Sequence, residues 1–378
     1  MNKTAKIVLG IAVLAIAVWA IISADRNKNE NQTKSNLNEP IKIGYFGPLT
    51  GESASLGEPG MAGAMLAAKE INDAGGVLGR KLEIIFEDDK CSAQGVQAIT
   101  KLVNVDKVVG ITGPDCSSSG GPALPIAQKA GVPVVIRWAS AASLTKIGDF
   151  IFRLYPSDTY QSRYIAEFVY NTLGKRKAAV IYVNNAWGKG LEEDFVKRFV
   201  ELGGQIVMDE GVTQDSRDFR TQLAKLNASG VDVLFVPVYP GNAVAMLKQI
   251  KEISLKLPVI GGDIFDADEV IKSPGAEGVM YTVGKMNNSE SFRSKAEAET
   301  GKKADKISAS MAYDAVKALA KAIQTAGSAE GPAVRDALAK ISLPGELALR
   351  IEFGPDRELK TYQFEVKIIK DGKAENYQ

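Results

Sequence analysis

From Pro40 onward the chain alternates short apolar runs with amphipathic stretches, and this alternation restricts its fold more than any other feature. IKIGYF (41–46) is a buried-strand pattern. The next segment, MAGAMLAAKEIND, sets Met61, Ala64, Met65, Ala68 and Ile71 on one helical face. The strand–helix pairing then repeats. Strand patterns at 81–88, 108–112 and 132–136 are separated by helical ones at 92–103 and 121–130. A second series starts near Ser157, with strand patterns at 178–183, 205–212, 231–238 and 258–262 and helical ones between them. Such βα repetition predicts mostly parallel sheets covered by helices on both faces, joined by right-handed crossovers. Two series predict two doubly wound units. Two further helical patterns, Ser308–Thr325 among them, and the stretch 331–341 follow. The tail, 350–373, alternates apolar and polar residues around turns at Gly354-Pro355 and Asp371-Gly372, as a terminal strand or hairpin does.

The first 39 residues stand apart from this pattern. Lys3 and Lys6 precede an unbroken apolar run, Ile7–Ile22, which is the form of an export signal or short anchor over residues 1–24. Residues 25–39 are polar and without apolar periodicity, so a disordered tether is expected there. The run lacks a following Cys, and its cleavage site, Ile22-Ser23-Ala24, is a poor one, which favours an uncleaved anchor. The body is therefore expected to be exported.

Composition narrows the chemistry. The 46 Lys and Arg balance 45 Asp and Glu, so no basic footprint points to nucleic acid. There is no His, hence no imidazole base, no Ser-His or Cys-His pair and no His metal ligand. Two Cys cannot complete a four-Cys zinc site. No metal, cofactor or catalytic residue is expected. An enzyme using Ser117 or Cys116 as nucleophile lacks a base.

Open α/β sheets bind ligands beyond the C-terminal ends of their strands. The loops there are GPLTGESASLGEPG, GPDCSSSGG, RWASAAS, NNAWGKG and YPGN, and Asp263 after Gly261-Gly262. Each admits two readings. Ser117, Ser118 and Ser119 either cap a helix or, with its free N–H groups, capture an anion. Trp187 is either a core aromatic or a pocket wall. Asp263 is either a turn residue or the counter-ion of a cation. Gly57, Gly60 and Gly63 are spaced for helix entry rather than for a nucleotide, and there is no P-loop. In an exported chain Cys91 and Cys116 form an even pair and predict a disulfide; two free buried thiols are the alternative.

Taken in order, several stretches resemble the type I periplasmic binding proteins, in particular the leucine/isoleucine/valine-binding group that serves ABC importers. They are GPLTGESASLGEPGMAGAMLAAKEINDAGGVLGRKLEIIFEDDKC, GPDCSSS, IFRLYPSDTYQSRYIAEFV, AWGKGL, SRDFRTQLAKL and MAYDAVKAL, and the resemblance runs from Pro40 to the C-terminus. It implies two Rossmann-like, doubly wound lobes joined by a three-segment hinge, lobe one from 40–156 plus 284–345 and lobe two from 157–283 plus 346–378. It also implies a small amino acid (branched-chain-like) bound in the cleft, an ABC permease as partner, and a monomer. By the same resemblance Ser117 and Ser140 hold the ligand carboxylate. Ala139 gives a backbone carbonyl to the ammonium, Ser140 contacts it too, and Asp263 pairs with it. Trp187 and Tyr239 form the lobe-two wall, and Cys91 and Cys116 match the family disulfide. Two departures stand out. Leu56 replaces an aromatic, and Arg137-Trp138 replaces a small polar pair, so that Arg137 is available to recognise a second acidic group. The same fold also serves ligand-sensing receptors for amides, urea or small carboxylates.

Overall fold

The structure is a computed structural model that describes residues 39–378 except 286–289, 306, 348–349 and 361. The expected export segment, residues 1–24, and all of the tether except Glu39 lie outside the described residues.

Two sheets are built from the two βα series. The first holds β1 (Ile41–Gly47), β2 (Leu82–Asp88), β3 (Gly110–Thr112), β4 (Val134–Ile136) and β5 (Ile151–Arg153). Their order is β2-β1-β3-β4-β5, all parallel. The second holds β6 (Lys177–Val183), β7 (Gln205–Val212), β8 (Val233–Val236), β9 (Val259–Gly261), β10 (Met280–Gly284), β11 (Phe364–Lys370) and β12 (Lys373–Asn376). Their order is β12-β11-β10-β9-β8-β6-β7. The terminal hairpin β11–β12 runs antiparallel and closes the second sheet at β10. The chain thus returns to the second sheet for its last strands. β5 is a three-residue strand, too short to show a period, and the sequence pattern does not reveal it.

The strands are buried on both faces because helices cover both. α1 (Gly60–Asp73), α2 (Gly95–Asn104) and α3 (Ser117–Ala130) follow the early strands of the first sheet. α4 (Asp158–Glu167), α5 (Ala186–Glu201), α6 (Arg220–Ala228) and α7 (Pro240–Glu252) serve the second. The late helices α8 (Glu290–Thr300), α9 (Ser308–Ala326) and α10 (Gly331–Leu338) return to the first sheet. There α9 packs along α1, and a Cβ on Gly63 would lie 1.8 Å from the Ala309 carbonyl oxygen. Only a glycine allows that approach.

The crossings between the sheets are pinned by buried polar groups. Arg153, at the end of β5 and fully buried, donates to the Glu358 carboxylate and to the Ala141 carbonyl at 2.8 Å. Glu358 belongs to the late segment that precedes β11, so this ion pair fastens the first crossing to the last. Tyr155 and Tyr362 meet edge to face between the same two segments, with centroids 5.5 Å apart.

Candidate functional site

The exits of β3, β4, β6, β8 and β9 converge on one cleft. Leu56, Ser117, Trp138, Trp187, Tyr239 and Asp263 line it together. The space left between them is about 10 Å3, roughly room for one water. The two halves of the molecule are therefore in contact across the cleft.

One pole is the N-terminus of α3. Cys116 is its N-cap residue in extended conformation, and no side chain caps the helix. Its three serines divide their work. Ser119 donates to Asp89 Oδ2 at 2.6 Å, and Ser118 donates to the Cys91 carbonyl at 2.7 Å. Ser117 lines the cleft, its hydroxyl oxygen accepting the Ala141 N–H at 3.1 Å. Uncapped first-turn N–H groups and the helix dipole make this end suited to an anion. The Cys91–Cys116 disulfide is present, with Cα atoms 5.3 Å apart, and ties the β2 exit loop to the helix start. Lys90 and Cys91 both take left-handed backbone conformations there, with φ of 51° and 53°.

The opposite pole is Asp263, 2% exposed, at the start of the turn after β9. Its carboxylate accepts the Trp138 indole N–H on Oδ2, and the Gln161 amide on Oδ1 at 3.3 Å. Both donors are neutral. Burial pushes the Asp263 carboxyl above its ordinary range, against the pull of these donors. Nearby, Asp158 opens α4 fully buried, and neither of its carboxylate oxygens has a hydrogen-bond partner among the described residues. Burial pushes its carboxyl up to about 8.

The remaining wall is aromatic. Trp187 and Tyr239 stack with centroids 4.9 Å apart at 24°. Asn185 caps α5, its Oδ1 accepting the Trp187 and Gly188 N–H groups at 3.1 and 3.0 Å, and so fixes where Trp187 stands. Tyr239 holds the N-cap position of α7 without a side-chain cap, ahead of Pro240, whose ring is tolerated in a first turn.

Of the residues singled out from the sequence, Ser117, Trp187, Tyr239 and Asp263 come together in this cleft. Ala139 is buried beside it; its carbonyl oxygen lies 3.5 Å from the Arg153 guanidinium. Ser140 is also buried, its carbonyl accepting the Asp158 N–H at 2.8 Å. At this point of the loop the side chain facing the cleft is Trp138.

Arg137 does not serve as a receptor for a second acidic group. It is fully buried, and all five of its N–H groups are taken. Nε and Nη2 donate to Asp115 at 2.8 and 2.5 Å, Nη2 also donates to the Phe46 carbonyl at 3.0 Å, and Nη1 donates to the Thr112 carbonyl and hydroxyl at 2.8 and 3.2 Å. Its guanidinium lies 3.8 Å from the centre of the Tyr45 ring. The residue is a structural tie between strand ends.

Trp138, Gln161 and Asp158 are residues for which the sequence suggests no role. Trp138 sits in a strand-exit loop as Trp187 does, which was the available signal. Asp158 and Gln161 look like an ordinary first-turn acid and a polar helix face. Among the described residues no helix is long and apolar enough to cross a membrane, and no group of three or more His, Cys, Asp or Glu is placed to hold a metal ion.

Comparison with known proteins gives a consistent picture. The family described as periplasmic binding protein matches residues 40–369. The chain is 32% identical over 250 residues to the amino acid binding protein of Pseudomonas aeruginosa, covering 65% of this chain and 67% of that protein. It is 28% identical to the leucine-, isoleucine-, valine-, threonine-, and alanine-binding protein of the same organism, over 87% of this chain and 89% of that one. Among solved structures, the branched-chain amino acid transporter substrate binding protein of Streptococcus pneumoniae in complex with isoleucine superposes with a TM-score of 0.80 at 27% identity. That match covers 89% of this chain and 98% of the other.

Proposed function

Since this chain belongs to the periplasmic binding protein family, whose members bind substrates and are not enzymes, we propose that it is the extracytoplasmic substrate-binding protein of an ABC importer, taking a small amino acid between two closing lobes. The lobes we assign are 40–156 plus 284–345 and 157–283 plus 346–378. The observation that carries the reading is Asp263. It is a buried carboxylate whose hydrogen-bond donors, Trp138 and Gln161, carry no charge, and it shares a cleft with the uncapped helix start at Ser117. Leaving a buried charge unpaired is costly. A ligand that brings an ammonium to Asp263 and a carboxylate to Ser117 supplies the missing charge at one pole and the anion at the other. Ser140 and the Ala139 backbone are assigned to the same ligand ends, and Trp187 and Tyr239 to its body. A zwitterion that touches both lobes stabilises the closed arrangement by its differential contacts.

Calorimetric titration of Asp263→Asn tests this. The substitution should weaken an α-amino acid by about 2–5 kcal/mol, the range for truncating a buried charge pair, and weaken the matching neutral amide much less. Equal affinity of the variant and the wild type for the best amino acid would reduce Asp263 to a turn residue. The permease is the assigned partner, the protein acts as a monomer, and residues 7–22 hold it at the membrane. Recovery of mature protein beginning at Asp25 would remove the tether and leave plain export.

A further inference from the structure

Trp138 does more in the cleft than donate to the Asp263 pole. Trp138 is 9% exposed, lines the cavity and donates its indole N–H to Asp263 Oδ2. The backbone that carries it is held on both sides. Its neighbour Arg137 is locked by five occupied N–H groups. The Arg137 and Ala139 N–H groups on either side both donate to the Pro114 carbonyl, at 3.3 and 3.4 Å. The indole also packs on the buried Tyr155 ring, with centroids 6.2 Å apart.

We infer that Trp138 sets the size of the ligand: its fixed indole fills the room a long side chain needs, so glycine, alanine and serine bind in preference to leucine and isoleucine. The argument rests on the amino-acid reading above and on where Trp138 is mounted. Ser117 follows β3 and Trp138 follows β4, adjacent strands of one sheet. Opening the cleft carries Asp263, Trp187, Tyr239 and Ile264 away with the second sheet. Ser117 and the backbone of Trp138 stay together on the first sheet. A ligand anchored at Ser117 therefore meets the same indole at every degree of opening. On closure the indole already claims Oδ2 of Asp263, and Oδ1, whose Gln161 contact is long at 3.3 Å, is the oxygen left for an ammonium.

The test is calorimetric titration of the full-length protein, Trp138→Ala and Trp138→Phe with glycine, L-alanine, L-serine, L-leucine and L-isoleucine. The wild type should bind alanine at least tenfold more tightly than leucine. Trp138→Ala should shift the leucine-to-alanine affinity ratio at least tenfold towards leucine. Trp138→Phe, which keeps most of the ring and loses the N–H, should keep most of the wild-type preference. Trp138→Leu replaces Trp138→Ala should the latter lack a cooperative melting transition, and should shift the ratio in the same direction. Amino-acid binding with a ratio that Trp138→Ala or Trp138→Leu leaves unchanged, or a wild type that prefers leucine, overturns this inference alone. Folded proteins that bind none of the five overturn the amino-acid reading and the inference together.

Discussion

Arg137→Met separates a structural tie from a ligand receptor. Met keeps the apolar length of the side chain and removes the cation. Asp115, whose side chain is 1% exposed, then stays buried without its partner. Breaking a buried pair in this way costs about 3–5 kcal/mol. The Phe46 and Thr112 carbonyls lose a donor, and Tyr45 loses the guanidinium over its ring, so the upper part of that range is expected. At an unfolding entropy of about 2.1 cal/mol/K per residue, 4 kcal/mol in a chain of this size lowers the Tm by roughly 5 °C. Adding Asp115→Leu removes the stranded charge. The double variant should regain more than half of the loss and leave the cost of the carbonyl acceptors. Thermal melts followed by circular dichroism measure both. A single variant within about 1 °C of the wild type would refute the reasoning. So would a single variant that melts normally but loses binding of an acidic ligand, since Arg137 would then belong to the binding surface.

Two further outcomes are expected. Replacing both Cys91 and Cys116 with Ala opens a loop of 25 residues and should cost about 3 kcal/mol; dithiothreitol should lower the wild-type Tm comparably and leave the variant unmoved, and a reductant-insensitive wild type would count against the crosslink. Asp158 keeps its proton in the folded protein up to about pH 8, whereas unfolded Asp loses it near pH 4. The folded state binds more protons across that window, so this group's contribution makes stability fall as pH rises from about 4 to 8. Asp158→Asn should remove that part of the slope in Tm against pH, and parallel curves for variant and wild type would contradict the assignment.

The strand–helix order was legible because fully buried parallel strands are written as continuous apolar runs. IKIGYF and AAVIYV can be read as strands without knowing their neighbours. The cleft was legible in part for a related reason, since Ser117, Trp187 and Asp263 follow strand ends and the topology dictates where strand ends point. Arg137 was not. Its partners lie 22, 25 and 91 residues away, and only the assembled sheet brings Asp115, Thr112 and Phe46 around one guanidinium. Asp158 was hidden differently. An acid in the first turn of a helix usually faces water, and nothing local says that packing against α5, at Gly190, buries this one. β5 escaped notice because three residues carry no period.

The chain's return to the second sheet has a consequence for how the protein is made. The first sheet is complete in sequence by Arg153, yet α9, which covers α1, is not synthesised until residues 308–326. The second sheet gains β11 and β12 only from the last fifteen residues or so. Neither half can close its core until these late segments are available. Contacts between segments so distant form slowly, because loop closure must precede the reward. For an exported chain this order suits passage through a membrane, because the early segments cannot pack fully until residues 308–326 and 364–376 have followed them.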